Sequence, residues 1–595
     1  MDSLERGRSE GMRVVWLALL ALTISGYQAA GDAFYAGFRV RAGYAMNHLG
    51  PDELAHGALF AFFGSAAAAC AFLALRGLPA LTRLGDTLRS LCDRPRAVTL
   101  LAAGLVLAAS LFLATAMLGH AVTTDDEHVY RFIARTLGTG AVVAPSPGSD
   151  LEFFREQFIV LDDRVRFGKY PIGFPILLAL GQAIGLETLV VPLLTALVVF
   201  PLHRLAERLA DRRVAGVACL LYAASPQVWF TGATFLSQPA STLVLTAGLA
   251  LLVSRRHAGT VTARALVLAG ALIGFGVLVR PLPGVLFALV AAADVFATSA
   301  PGSRARLLRL LAFGVPVALV SAGVPLTNWL QTGSALTSGY QAFHAPGQGV
   351  GAVLGGGFAL AAMSIAAAFV RLNFWLFGWP SSLLACAFAG RVPRPWLVWG
   401  VLGSELAYRV IAPKAGVGGT GPLYLFEAVP VLCVLAALGL ARIARGATAL
   451  PGARTHLVPA LVALSIASLA LFVPPKLADL GRMGYAQRQV DRLLQAKGPG
   501  PAVVFHEGIA PPQLGLTWAY FPRCNGPRLD DSVLFLRLQR AGGLDANVEL
   551  WRRRFPGRAA WYFGWHPEDG PTLVGLEDFV RTGGQLGPEP SAPRE

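Results

Sequence analysis

The chain is written mostly in long apolar runs, broken by short polar stretches that are rich in arginine. Runs that predict spans lie at 12–29, 55–76, 98–119, 188–204, 214–231, 238–254, 262–279, 281–298, 308–328, 372–390, 395–412, 422–441 and 456–474. A helix of about 17–25 apolar residues covers a hydrocarbon core of about 30 Å. Thirteen spans are therefore expected. PIGFPILLALGQAIGL (171–186) is apolar but shorter, and reads as a re-entrant or surface helix. VLGGGFALAAMSIAAAFV (353–370) reads as an interfacial element if 351–390 crosses once. After residue 474 the pattern changes to strand-like runs such as PAVVFHEG and SVLFLRL, joined by turn-rich segments. A small α/β domain is predicted there. The first apolar run, Met12 to Ala30, has no convincing cleavage site behind it and reads as a retained span.

Composition supports the pattern. Of 595 residues, 54% are hydrophobic and only 14% charged. Soluble domains carry about a quarter charged residues. The net charge of +15 does not signal nucleic-acid binding. Its basic residues fall in alternate loops: the N-terminus, 76–96, 203–213, 254–257, 303–309, 391–394 and 441–445. Loops of that kind face the cytoplasm. The N-terminus is then inside, and the region from Pro475 to Glu595 is outside. The six cysteines have no metal-site or disulfide spacing. The predicted division is 1–97, two extra spans with a basic loop; 98–474, a membrane module with outer loops 121–171, 328–351 and 413–427; and 475–595, an outer domain.

Loops that long in a compact protein are usually functional or disordered. The first opens with TTDDEHVYRFIARTLGTG, Thr123 to Gly140. Thr124 or Asp125 serves as N-cap, and acids in the first turn favour the helix dipole. That role needs one acid, and Asp125, Asp126 and Glu127 stand together. Val129, Phe132, Ile133 and Leu137 form an apolar stripe, as in a helix lying in the membrane interface. A carboxylate held there in a partly dry site is a good general base. Further on, FGKYPIGFP places Lys169 and Tyr170 at the mouth of the short apolar segment. Lys169 is either a snorkelling anchor or a partner for a lipid phosphate. Arg280, in LVRPLPG, stands alone on the outward side. It either caps helix carbonyls or binds an anion. His128 and His344 are both outward and read as surface groups rather than ligands.

The ordered set DDEHVYRFIARTLGTG…PSP, GKYPIGFPILLALG, VRPLPG, NWLQTGSALTSGY, LFGWP and GPLYLFEAVPVL resembles that of bacterial GT-C membrane glycosyltransferases. It is similar to the protein O-mannosyltransferases and the lipid A aminoarabinose transferases. The resemblance covers residues 98–445 and, more loosely, the tail. It implies an all-α polytopic membrane fold with a small extracytoplasmic α/β domain. It implies transfer of a sugar from a polyprenyl-phosphate carrier to an acceptor lipid, glycan or protein outside the cytoplasmic membrane of a bacterium. Asp126 maps onto the catalytic carboxylate, with Glu127 beside it, and Asp125 leaves the register uncertain by one. Lys169 and Arg280 match donor phosphate-binding positions, and Asp125, Tyr170, Tyr340, Tyr424 and Glu427 are assigned to the substrate pocket. No cofactor is assigned; a divalent metal is left open.

The chain departs from the pattern in places. Leu423 stands where relatives often carry arginine, and Gln238 where histidine is common. A flippase of lipid-linked sugars would show ionisable groups buried mid-span and inverted repeats. A non-catalytic scaffold on the same fold would scatter Asp126, Lys169 and Arg280 over separate surfaces. An enzyme would bring them into one outward cavity.

Overall fold

The computed structural model describes residues 2–35, 51–253, 261–299, 303–344, 357–411, 421–446, 453–498, 500–507, 523–566 and 570–585. Among the described residues, seven helices are long and apolar enough to cross a membrane: Glu10–Ala30, Glu53–Leu75, Pro95–Met117, Glu187–Leu209, Arg304–Thr332, Leu423–Ala444 and His456–Lys497. Each coincides with an expected span. The run expected at 214–231 is a bent pair, Arg212–Ala223 and Pro226–Gly232, with 58° between its halves. Ser225 and Pro226 sit at that bend; proline has no N–H to continue the ladder. Gln238–Leu252, Ala263–Val279 and Pro281–Ala297 are shorter apolar helices. PIGFPILLALGQAIGL yields an eleven-residue helix, Gly173–Ala183, as its length implied.

The span expected at 372–390 is displaced. The helix runs Gly357–Trp375, and only the short Ser382–Ala387 follows. The run GFALAAMSIAAAFV propagates as one helix, and LFGWP ends it. Gly378 there adopts φ +68°, a left-handed conformation that other residues reach only at a cost. The last span also differs. Its helix passes 474 through a π turn at Ser468–Phe472 and continues to Lys497. The π turn lies directly before Pro474 and Pro475, which removes the clash those rings would make in an unbroken α-helix. The expected boundary at 475 thus falls inside a helix that carries the chain to the terminal domain.

Contacts among the basic loops gather them at one end of the bundle. Arg213 is bidentate to Asp93, at 2.8 and 3.0 Å. Arg208 donates to the carbonyls of Ala250 and Val253, at 2.7 and 2.6 Å. Arg309 reaches the carbonyl of Val261 at 2.9 Å, and Arg394 reaches Asp294 at 2.7 Å. The basic stretch 254–257 lies outside the described residues, as do 345–356 and 412–420 of the expected loop and interfacial segments.

At the other end the first outer loop folds back as a small sheet. Strands β1 (Ala144–Pro145), β2 (Ile159–Leu161) and β3 (Val165–Gly168) are antiparallel in the order β1-β3-β2. The Asp162 carboxylate accepts from the backbone N–H groups of Arg164 and Val165 and closes the β2–β3 turn. The terminal domain is α/β, as expected. Its strands β4 (Ala502–His506), β5 (Val533–Arg537), β6 (Ala559–His566) and β7 (Gly570–Gly575) run in the order β5-β4-β6-β7. The first three are parallel, and β7 pairs antiparallel with β6. Phe153 and Phe154 of the first outer loop insert into the core of this domain beside Phe505, Leu534 and Leu536. Loop and domain therefore share one apolar core.

Candidate active site

The acidic stretch forms the first turn of the helix Asp125–Gly138, with Thr124 extended at the N-cap. Successive helical residues are rotated by about 100°, so three consecutive acids point three ways. Glu127 turns back into the protein and is fully buried. Its Oε1 accepts from the N–H of Thr123 at 2.8 Å, the N–H of Thr124 at 3.1 Å, and the Thr123 hydroxyl. Its Oε2 accepts from the N–H of Phe235 at 2.7 Å. Burial still raises its carboxyl above the usual range, against the pull of those donors. Asp125 is buried on the side of Cys524, whose thiol its charge helps to hold protonated. Asp126 is half-buried, and its charge acts on the hydroxyl of Tyr130. Burial first, then Asp126, keeps that phenol protonated. The Asp126 charge also reaches Tyr340 and Tyr424.

Lys169 is delivered by the β2–β3 hairpin. Its N–H donates to the Phe158 carbonyl at 3.1 Å, one step beyond the last ladder pair. Lys169 is 8% exposed, and its ammonium lies 3.2 Å from the centroid of Phe158, with Tyr170, Phe343 and Tyr340 at 5.1, 5.2 and 5.6 Å. A cation on aromatic faces is stabilised by the ring quadrupoles. Two close approaches fix this corner. A Cβ on Gly339 would meet the Lys169 backbone at 2.7–3.0 Å. One on Gly173 would meet the backbone of Leu278 and Val279 at 2.6 Å. Only glycine permits either contact, and the second brings the Lys169 segment against the residues that precede Arg280.

Arg280 is the hinge between the helices Ala263–Val279 and Pro281–Ala297, closing one and opening the next. Pro281 bars the α conformation at residue 280 and sets the turn. The guanidinium donates to Glu427 Oε1 at 2.5 Å and to the Tyr408 hydroxyl at 3.4 Å. Tyr424 and Tyr408 flank it, with ring centroids 5.6 and 5.9 Å away.

A chain of ring contacts runs from the Lys169 cage to Tyr130, whose hydroxyl also feels the Arg280 charge. Tyr130 packs on Tyr170 at 4.7 Å, and Tyr170 on Tyr340 at 5.5 Å. Tyr130 also shares a 3.1 Å hydrogen bond with Ser237. Lys169, Tyr340, Thr327, Asn328 and Gln331 line a cleft together with Ile172, Leu278, Pro281 and Val324. Asp126, Lys169, Arg280, Tyr170, Tyr340, Tyr424 and Glu427 are thus drawn together, whereas Asp125 and Glu127 are turned away. That result departs from the expectation for those two acids.

Other expectations need correction as well. His128 is not a surface group but buried. Burial, then the charges of Arg131, Arg523 and Arg135, push its pKa down to about 3. His344 is exposed, as expected. Leu423 is buried in apolar surroundings. A guanidinium is nonetheless present at this loop, because Arg409 donates to the carbonyl of Tyr424. Gln238 is buried with its Oε1 lacking a hydrogen-bond partner. Tyr130, Gln331, Glu405, Tyr408 and Arg409 escaped the sequence reading. For Glu405 and Arg409 a signal was present: two charges one turn apart in an apolar helix. Among the described residues, no three His, Cys, Asp or Glu side chains are grouped to hold a metal ion.

The site's class finds a counterpart in sequence. Residues 171–329 match the family model described as dolichyl-phosphate-mannose-protein mannosyltransferase. The matched segment contains Arg280 and begins just after Lys169 and Tyr170. This agrees with the resemblance read from the ordered motifs to GT-C membrane glycosyltransferases. Among solved structures, apo ArnT from Cupriavidus metallidurans is similar at 14% identity and a TM-score of 0.47, covering 77% of this chain and 92% of that one. ArnT from the same organism bound to undecaprenyl phosphate gives 14%, 0.43, 77% and 92%. The Archaeoglobus fulgidus oligosaccharyltransferase in its apo form gives 11% and 0.38, with 71% of this chain and 63% of that one covered. No curated protein matches the chain.

Proposed function

We propose that the chain is an integral membrane glycosyltransferase of the GT-C type, in the cytoplasmic membrane of a bacterium. It moves a sugar from a polyprenyl-phosphate donor to an acceptor on the far side of the membrane from the basic loops. The observation that carries this reading is the convergence of Asp126, Lys169 and Arg280 on one mouth of the helical bundle. A flippase does not require a carboxylate there, and a scaffold requires none of the three. The matched family's description names a lipid-phosphate sugar of the same kind.

The cleft suits such a donor. Its lining combines the apolar Ile172, Leu278, Pro281 and Val324 with the polar Lys169, Asn328 and Gln331. An isoprenoid tail lies on the first and a phosphate meets the second. Lys169 and Arg280 stabilise the charge that grows on the phosphate oxygens as the glycosidic bond breaks. Asp126 takes the proton of the acceptor hydroxyl, which attacks the anomeric carbon from the opposite face. One displacement inverts the configuration, with no covalent intermediate. Tyr130, Tyr340 and Tyr424 surround the carboxylate and orient acceptor and sugar hydroxyls.

The test is transfer of radiolabel from a panel of polyprenyl-phosphate sugars, with protein in nanodiscs and membrane extract as acceptor. Label should reach a new product with wild type and not with Asp126→Ala. Label that binds equally to both proteins and never moves would instead point to a carrier or a scaffold.

A further inference from the structure

Below the mouth of the site lies a charged box that the mechanism above leaves unexplained. Glu405 and Arg409 are four residues apart on the helix Pro395–Ile411, on the stripe that also buries Leu397, Val398 and Val401. Glu405 is 3% exposed and Arg409 is 1% exposed. Both carboxylate oxygens of Glu405 lack a hydrogen-bond partner. Opposite stands Glu427, also buried, with Oε1 on Arg280 and Oε2 without a partner. The groups that act electrically on Glu405 are Glu427, Arg409 and Arg280. Tyr408 and Tyr424 complete the wall, with the Asp126 charge reaching Tyr424.

Packing does not account for Glu405. An ionised carboxylate buried without hydrogen bonds is costly, and an apolar residue would fill the space at less cost. Charge balance does account for it. With both carboxylates ionised, two guanidiniums and two carboxylates cancel within the box. A phosphate anion arriving at Arg280 adds negative charge to a site already balanced. Glu427 is held by Arg280, whereas Glu405 has no hydrogen bond to lose. A proton placed on Glu405 removes the excess.

We infer that Glu405 is a positioning residue of the donor site, which with Glu427 balances Arg280 and Arg409 and takes up one proton when a phosphate anion binds. This rests on the proposed donor site. The leaving phosphate is bound with a proton and released with it.

The experiment is calorimetric titration of the full chain in nanodiscs with farnesyl phosphate at pH 8. A phosphate monoester is fully ionised there, its second pKa being about 6. Buffers of different ionisation enthalpy report the protons exchanged. Wild type should take up a fraction of a proton that grows with pH as Glu405 ionises in the empty box, and its Kd should weaken toward about tenfold per pH unit above pH 8. Glu405→Gln and Glu427→Gln each remove one negative charge, so each should bind with the uptake abolished and the pH slope flattened. Binding by wild type with no proton uptake overturns the inference alone, whether or not either variant folds. Uptake unchanged in a folded Glu405→Gln protein also overturns it. Failure of wild type to bind farnesyl phosphate overturns the donor reading and the inference together.

Discussion

Three adjacent acids occupy three different surroundings, and the difference is measurable one residue at a time. Asp126 faces the tyrosines and is only half-buried, so Asp126→Asn should leave stability within about 0.5 kcal/mol. Transfer should fall by about 10²–10⁴-fold, the usual worth of a general base. Glu127 accepts from four donors through both oxygens. Glu127→Gln would turn an amide NH2 toward either Thr123 or Phe235, both of which donate. The expected cost is about 1–3 kcal/mol, read as a lower Tm. Loss of activity without loss of Tm in Glu127→Gln, paired with the reverse in Asp126→Asn, would exchange their roles. Arg280→Ala is expected to be more damaging than loss of donor affinity alone. It strands Glu427 as a buried charge, at about 3–5 kcal/mol, and Arg280→Ala with Glu427→Ala should recover part of that.

Among elements, the helix Asp125–Gly138 is clamped by the terminal domain. Arg135 donates to the Cys524 carbonyl at 2.6 Å and meets Asp531 at 3.2 Å. Arg166, fully buried, donates to the Gly526 carbonyl at 2.6 Å and pairs with Glu156 at 3.4 Å. Arg553 and Arg554 reach Asp150 and the Pro147 carbonyl from the other side. Arg166→Ala should therefore loosen loop and domain together, by about 3–5 kcal/mol, seen as protease cleavage within 141–168 and around 523–531. Cleavage in only one of the two segments would show that they are not a unit. The same region carries an acid sensitivity. Burial pushes the pKa of both His128 and His506 from 6.5 down to about 3. Their folded pKa values lie below the unfolded one, so their contribution is complete above pH 6.5 and is lost as pH falls toward 3. Each costs about 1.4 kcal/mol per pH unit across that window. Tm measured by tryptophan fluorescence should fall from pH 7 to pH 5, and less steeply in His128→Asn.

At the scale of the whole molecule, the basic loops gather at one end and the site with the terminal domain at the other. By the positive-inside rule, the end that carries the basic loops is the one expected inside. Ser149 and Thr87 are both exposed, one at each end. A membrane-impermeant maleimide should label Ser149→Cys in intact cells and Thr87→Cys only after permeabilisation. The opposite pattern would invert the topology and place the transfer reaction in the cytoplasm.

What could be read from the chain alone was whatever depends on local order. Apolar length located the seven long helices, and the shift to alternating runs announced the α/β tail. The order of short motifs picked out Asp126, Lys169 and Arg280, because a charge beside an apolar run is costly enough to be conspicuous wherever it stands. The direction of each side chain was not legible. Asp125, Asp126 and Glu127 are equivalent as letters, and only the rotation of the helix against Phe235 and Cys524 separates them. Glu405, Tyr408 and Arg409 sit more than a hundred residues from Arg280, and nothing local ties them to it. The approach of the Lys169 segment to the residues before Arg280 depends on a backbone contact at Gly173, and the clamp on the acidic helix depends on carbonyls some 390 residues away. Local sequence encodes cost and periodicity; long-range packing decides which costly groups meet, and in this protein that meeting is the site.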